Sequence, residues 1–364
     1  MKLNRRRILL GLHESAGLGW RSIEKILLGN QDWEHAAEFS ARDWVHSGLT
    51  EVQAKRMTEN FTNEWMEQRE QQLRNKGIDW ITCLDEDYPM LMKESSRPPW
   101  VMYLLGRREL LSSFSIAMVG TRVPTAYGRK VAEQLAADLC HSGVTVVSGL
   151  ARGIDGVCHD SALRCGGPTI AVLGTAIDKA YPPEHSGLYR RVAEKGLIVS
   201  EYPIGTPPHP GLFPQRNRII AGLTRGTLVV EADVRSGSLI TADAAMEANR
   251  DVFAVPGQIT SPKSCGTLNL IKQGAKMVTS AQDILEEYGR VDQLNVTGLA
   301  SMNEGNKLTE PEQRIYHMLE QGSASFDALL LATGWDFGLL HSVLLSLIIK
   351  KQVVQLPGSI YKLI

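Results

Sequence analysis

From about Gly77 to Tyr288 the chain alternates short apolar runs with longer amphipathic ones. DWITCL, WVMYLLG, SIAMVG, VTVVSGL, TIAVLG, GLIVSEY, TLVVEA and DVFAVPG are short and apolar, and most are rich in β-branched residues. Between them lie helical stretches such as GRKVAEQLAADLCHSG and SLITADAAMEANR. Runs that stay apolar instead of alternating suit strands buried on both faces, and crossover helices between them make the sheet parallel. The pattern predicts an α/β fold with a mostly parallel sheet over residues 76–290. Ligands in such sheets sit beyond the carboxyl ends of the strands. Glycine and proline mark those ends in VVSGLARGID, AVLGTAID and FAVPGQ.

The flanks are patterned differently. Residues 1–75 read as a small helical domain, and GLHESAGLGWRSIEKIL within it resembles a helix-hairpin-helix or SAM-like pair. Residues 291–306 are polar and weakly patterned, which predicts a linker. Residues 307–364 give three helices followed by a hairpin, the order of a winged helix. From Glu304 to Ile364 there are five Lys/Arg and six Asp/Glu, and the third helix, GLLHSVLLSLIIKK, is apolar until its end. A groove-reading helix presents Arg, Lys, Asn or Gln, so protein contact or packing is the role expected of this region.

Composition narrows the function classes. Apolar and charged fractions of 43% and 22% are those of an ordinary folded chain. No stretch is long enough to span a bilayer, and no membrane association is expected. Five scattered cysteines without a CxxC pair suit a reducing cytosol. Cys158, His159 and Cys165 lack a fourth ligand at sensible spacing for zinc. A net charge of −1 argues against a surface that binds polyanions all over. Residues 115–290 hold 18 Lys/Arg against 16 Asp/Glu, so position matters more than number.

Several cations fall at strand ends. In SIAMVGTRVPTAYGRK a strand ends at Gly120, and Thr121 and Arg122 occupy the turn before a helix. Backbone N–H groups and a guanidinium there make a phosphate cradle. VTVVSGLARGID places Gly149 and Arg152 in a second turn, where Asp155 is a candidate helix cap. TIAVLGTAIDKAYPPEH supplies Lys179 and the aromatic Tyr181. FPQRNRIIAGL reads as an amphipathic helix with Pro214 at its first position. Phe213 precedes it, Arg216 lies on the apolar arc, and Asn217 and Arg218 point elsewhere. Glu201 of SEYP is a candidate partner for Arg216, and which arginine serves phosphate and which serves packing stays open at this level. VEADVRSGSLITADAAME offers Ser236, Gly237, Ser238 and Thr241 at a helix start. A row of cations with glycines and an aromatic, without a nucleophile elbow, HExxH or carboxylate pair, fits a groove for single-stranded nucleic acid.

VGTR, SGLARGID, AVLGT, YPPEH, SEYP, FPQRNRIIAGL, VVEA, SGSLITA, AVPG and GTLNLIKQGA occur in the order seen in the DprA/Smf family of bacterial DNA-processing proteins, which this chain resembles over about residues 76–280. The resemblance implies an extended Rossmann-like fold flanked by SAM-like and winged-helix-like domains. It implies a cytoplasmic homodimer that binds single-stranded DNA without a cofactor or catalysis. It further implies protection of incoming DNA and loading of RecA in natural transformation, displacing single-strand binding protein. DNA contacts carry over to Arg122, Arg152, Lys179, Phe213, Arg216 and Arg218. The alternative is a lysine-decarboxylase-like nucleoside-phosphate hydrolase, whose PGGxGTxxE motif is missing from the glycine-rich turns here.

Overall fold

A computed structural model describes residues 2–29, 32–289, 310–320, 322–335, 337–349, 352–356 and 360–363. The linker expected at 291–306 lies outside the described residues. The chain forms two compact units, residues 1–295 and 296–364.

The first unit opens with helices α1 (Lys2–Glu14), α2 (Trp20–Gly29), α3 (Ala41–His46), α4 (Glu51–Asn60) and α5 (Asn63–Asn75). Ser40 and Thr50 close capping boxes at the starts of α3 and α4, satisfying free N–H groups there. Then follow β1 (Asp79–Thr82), α6 (Met90–Lys93), β2 (Val101–Gly106), β3 (Ser115–Val119), α7 (Ala126–His141), β4 (Thr145–Ser148), α8 (Ile154–Arg164), β5 (Thr169–Leu173), α9 (Ser186–Lys195) and β6 (Leu197–Ser200). The unit ends with α10 (Leu212–Gly222), β7 (Gly226–Val229), α11 (Gly237–Glu247), β8 (Asp251–Ala254), α12 (Cys265–Lys272), β9 (Lys276–Met277) and α13 (Ala281–Glu287).

The nine strands form one sheet in the order β1-β2-β6-β5-β4-β3-β7-β8-β9. The two pairings that join β1, β2 and β6 are antiparallel, and all the others are parallel. The α/β fold expected from the patterning is the one observed. Along β3, Ile116 and Met118 pack with α7, α8 and α13, while Ala117 and Val119 pack with α10 and α11 on the opposite face. Both faces are dry, which is why the strands read as unbroken apolar runs. The N-terminal helices share a core with the sheet: Ile8, Leu9 and Leu12 of α1 cluster with Tyr103 of β2 and Ile198 of β6.

Strand order reverses at β3. The chain runs outward through β4, β5 and β6, then returns to lay β7 on the other side of β3. That is the topological switch point, where α/β sheets open a crevice beyond their strand ends.

The second unit contains α14 (Glu310–Glu320), β10 (Ala324–Ser325), α15 (Phe326–Thr333), α16 (Phe337–Ile349), β11 (Val353–Leu356) and β12 (Ile360–Leu363). Its strands pair in the order β10-β12-β11. Ile315, Leu319, Leu340 and Leu344 are buried with Tyr361 in its own core. Among the described residues no single helix is long and apolar enough to cross a membrane.

Candidate nucleic-acid interface

A cleft of about 680 Å³ opens at the switch point. Its floor is the turn after β3. Gly120 has no room for a side chain, since a Cβ there would meet Ile154 Cγ1 at 2.6 Å. Thr121 is buried and donates its N–H to the Glu231 carbonyl at 2.8 Å, tying the ends of β3 and β7 together. Glu231 itself is occupied: its carboxylate accepts from the Thr125 N–H (2.9 Å) and hydroxyl (2.5 Å) at the start of α7. Arg122 is exposed into the cleft and has no carboxylate partner among the described residues.

The second turn, after β4, presses against the first. Gly153 takes φ +75°, and a Cβ there would stand 2.3 Å from the Thr121 carbonyl oxygen. Asp155 is buried and accepts the N–H groups of Gly149 (3.1 Å) and Ala151 (3.4 Å), so it clasps the turn. Arg152 is exposed and paired with Glu184.

Helix α10 begins at Leu212, two residues earlier than expected, with Pro214 still in the first turn where an N–H has no intrahelical acceptor. Arg216 is 5% exposed. Its Nη1 donates to the carbonyls of Gly149 (2.7 Å) and Val172, and its Nε donates to Asn217 Oδ1 (3.1 Å). A Cβ at 149 would sit 2.2 Å from that Nη1, so a larger residue there displaces the guanidinium. Burial pushes the Asp155 carboxyl up and the Arg216 guanidinium down, and each charge partly offsets the other's shift. The guanidinium stays protonated, as arginine does throughout proteins.

Glu201 pairs with Arg218 and not with Arg216: Arg218 Nη2 reaches both carboxylate oxygens at 2.6 Å. The two arginines lie two residues apart on a helix, so they project in nearly opposite directions. Arg216 turns toward the ends of β4 and β5, and Arg218 turns toward the end of β6.

Phe213 packs its ring over Gly174, where a Cβ would meet Cδ1 at 2.5 Å. Tyr181 lies beside it with ring centroids 5.0 Å apart and is 42% exposed. The pair offers an aromatic wall. Across the cleft, Ser236 caps α11, its Oγ 2.8 Å from that of Ser238. Asn217 Nδ2 donates to the Gly237 carbonyl at 3.3 Å, linking α10 to that cap.

Of the residues expected from sequence, the cleft brings together Gly120, Thr121, Arg122, Phe213, Arg216 and Asn217. Ser236, Gly237, Ser238 and Thr241 line its far wall. Gly149 and Arg152 line an adjoining recess that shares Arg122, Phe213 and Arg216 with it. Lys179 is exposed two residues before Tyr181 but lines neither, and Arg218 is held outside by Glu201. Arg235, Lys263 and Asp233 also line the cleft and were not singled out by sequence reasoning. Arg235 had a signal, an arginine two residues before Gly237 at the helix start. Lys263 had none, because its strand of origin is different. Another cavity, of about 340 Å³, lies across α7, α8 and α9, but there Arg164 is already paired with Glu133 and Asp160.

Four cationic side chains line the cleft (Arg122, Arg216, Arg235 and Lys263) against two carboxylates, Asp155 and Asp233. Asp155 is spent on backbone N–H groups. The excess positive charge and the aromatic wall suit binding of a phosphate-bearing, base-bearing ligand.

Comparison with known proteins agrees with this geometry. The family model described as DNA recombination-mediator protein A matches residues 79–289. Protein Smf of Synechocystis sp. is 39% identical over 79% of this chain and 81% of its own length. DNA processing protein DprA of Bacillus subtilis is 44% identical over 59% of this chain and 72% of its own. The X-ray structure of DNA processing protein A from Streptococcus pneumoniae matches with a TM-score of 0.67 at 37% identity, covering 77% of this chain and 97% of that one. The Helicobacter pylori protein, described for its single-stranded DNA binding mode, matches with a TM-score of 0.53 at 29% identity over 58% of this chain and 96% of that one.

Proposed function

We propose, from the premise that the chain belongs to the DprA/Smf family of DNA recombination-mediator proteins, that it binds single-stranded DNA in the switch-point cleft and passes the strand to RecA. The observation that carries this reading is the cleft itself, where an unpaired Arg122 and a carbonyl-held Arg216 face an aromatic pair. Phe213 and Tyr181 stack on bases, and Arg122 neutralises a phosphate. Arg216, held rigidly by two backbone carbonyls, presents its remaining edge to the strand. Lys179 and Arg152 contact the strand where it leaves the cleft past Tyr181. Stacking and phosphate contacts carry little base information, so binding tolerates sequence.

No catalytic step is assigned. Asp155 and Glu231 are both committed to backbone and cap contacts. On this reading the protein acts as a carrier, in the cytoplasm and as a homodimer, that protects incoming DNA and takes it from single-strand binding protein during transformation.

RecA turnover tests this. ATP hydrolysis by RecA on oligonucleotide coated with single-strand binding protein is followed with and without this protein. A shortened lag is expected, and the Arg122→Ala variant restores the long one. An unchanged lag at saturating wild-type protein contradicts the hand-off.

A further inference from the structure

The wall of the cleft facing the aromatic pair is built differently from the rest. Thr241 is 1% exposed, lines the cleft, and has no side-chain hydrogen bond among the described residues. With no protein partner, that hydroxyl is left to solvent or to a ligand. One helical turn away α11 begins, with its Ser238 N–H donated to Ser236 Oγ (3.4 Å) and its Leu239 N–H to the Ser236 carbonyl (3.1 Å), and Gly237 at its start lines the same space. Arg235 is exposed in the turn before that helix, and Lys263 is half-buried in the turn after β8. Neither has a carboxylate partner among the described residues. The two turns are laced together: the Ala232 N–H donates to the Lys263 carbonyl at 2.9 Å, and Gly266 N–H donates to the Ala232 carbonyl at 2.8 Å. These bonds fix the main chain of Lys263 beside that of Ala232.

We propose that Arg235, Lys263, Thr241 and the start of α11 form a second phosphate seat, which takes an internal phosphodiester of the strand whose bases stack on Tyr181 and Phe213. The choice of phosphodiester follows from charge. Asp233 lines the cleft in the same turn, so the seat sets two cations against one carboxylate. A singly charged diester balances that residue of positive charge. A terminal phosphate, near −2 at neutral pH, leaves excess negative charge beside Asp233. The seat therefore selects the interior of a strand over its end and over free nucleotides. This rests on the single-strand reading above and adds where the strand runs and which phosphate it presents.

The test uses the full chain and fluorescently labelled oligonucleotides. Arg235→Ala and Lys263→Ala each shrink the slope of log affinity against log salt by about 0.7, the share of one phosphate contact on a single strand. Thr241→Val, nearly isosteric, weakens binding about tenfold with the slope unchanged. Asp233→Asn strengthens binding. A 5′-phosphate on the oligonucleotide changes nothing in the wild type, and AMP competes poorly, but AMP competes better against Asp233→Asn. If Arg122→Ala shrinks the slope while Arg235→Ala and Lys263→Ala do not, the seat is wrong and the single-strand reading stands. If AMP or a terminal phosphate is preferred, the assignment to a diester is overturned. If the wild type does not bind single strands at all, the reading beneath it fails instead.

Discussion

Replacing Arg216 by methionine separates the two roles of a buried arginine, because methionine fills similar space without charge or donors. Arg216 Nη1 serves the carbonyls of Gly149 and Val172, and both lie in the buried interior beneath the cleft. Each bond from a charged donor is worth about 1.5–3 kcal/mol, and each carbonyl left unpaired keeps its desolvation cost. Asp155 loses the cation that offsets its burial. The sum is a loss of roughly 3–5 kcal/mol, a large part of the ~5–15 kcal/mol that holds a domain folded. Urea denaturation followed by tryptophan fluorescence reads it. The sign of the pH dependence is also set. The Asp155 carboxyl is already raised, so its contribution is full in acid and is lost as pH rises through its folded value. Removing Arg216 raises it further, so the gap between variant and wild type narrows as pH falls from neutral toward the ordinary carboxylate range. Adding Asp155→Asn to Arg216→Met recovers part of the loss. A cost below ~1 kcal/mol, with no pH dependence and no rescue, refutes the buried-clasp account.

Other consequences are independent of that one. Arg122→Ala lowers single-strand affinity and the salt slope by about 0.7 while leaving the melting temperature nearly unchanged, since the side chain is exposed and unpaired. Gly174→Ala puts a Cβ 2.5 Å from Phe213 Cδ1 and displaces the ring, costing about 1–3 kcal/mol of stacking in an anisotropy titration. Burial holds the His159 imidazole down at about 3, so its stabilising contribution is present above the ordinary value of 6.5 and is lost as pH falls toward 3. Chemical denaturation of wild type and His159→Gln against pH shows their stability difference changing by about 1.4 kcal/mol per pH unit over that window, the share of one proton. A chain ending at residue 295 keeps every cleft residue, and its single-strand affinity stays within about tenfold of the full chain, or about 1.4 kcal/mol.

The sheet was legible because its strands are buried on both faces and so read as unbroken apolar runs. The position of the cleft was legible for the same reason, since glycine and proline punctuate the strand ends. Arg122 could be placed from its turn alone. The arginines of α10 could not. Whether Arg216 or Arg218 meets Glu201 depends on how the helix is rotated against β4, β5 and β6, and an apolar arc fixes that only to within a residue or two. Arg216 lies on the arc as read, but its partners are backbone carbonyls, which no sequence pattern advertises. The seat around Arg235 and Lys263 joins a turn after β7 with one after β8, and the hydrogen bonds between Ala232, Lys263 and Gly266 are visible only once the strands are side by side.

A single strand held in the cleft sets its phosphates on the cations and its bases on the aromatic pair, as proposed above. Fluorescence anisotropy of one labelled oligonucleotide, single-stranded and as its duplex, titrated across a range of salt, tests it most directly. The single strand is expected to bind more tightly, with a slope of roughly −2 or steeper from Arg122, Arg235 and Lys263 at ~0.7 each. Equal affinity for the two forms, or a slope near zero, would contradict it.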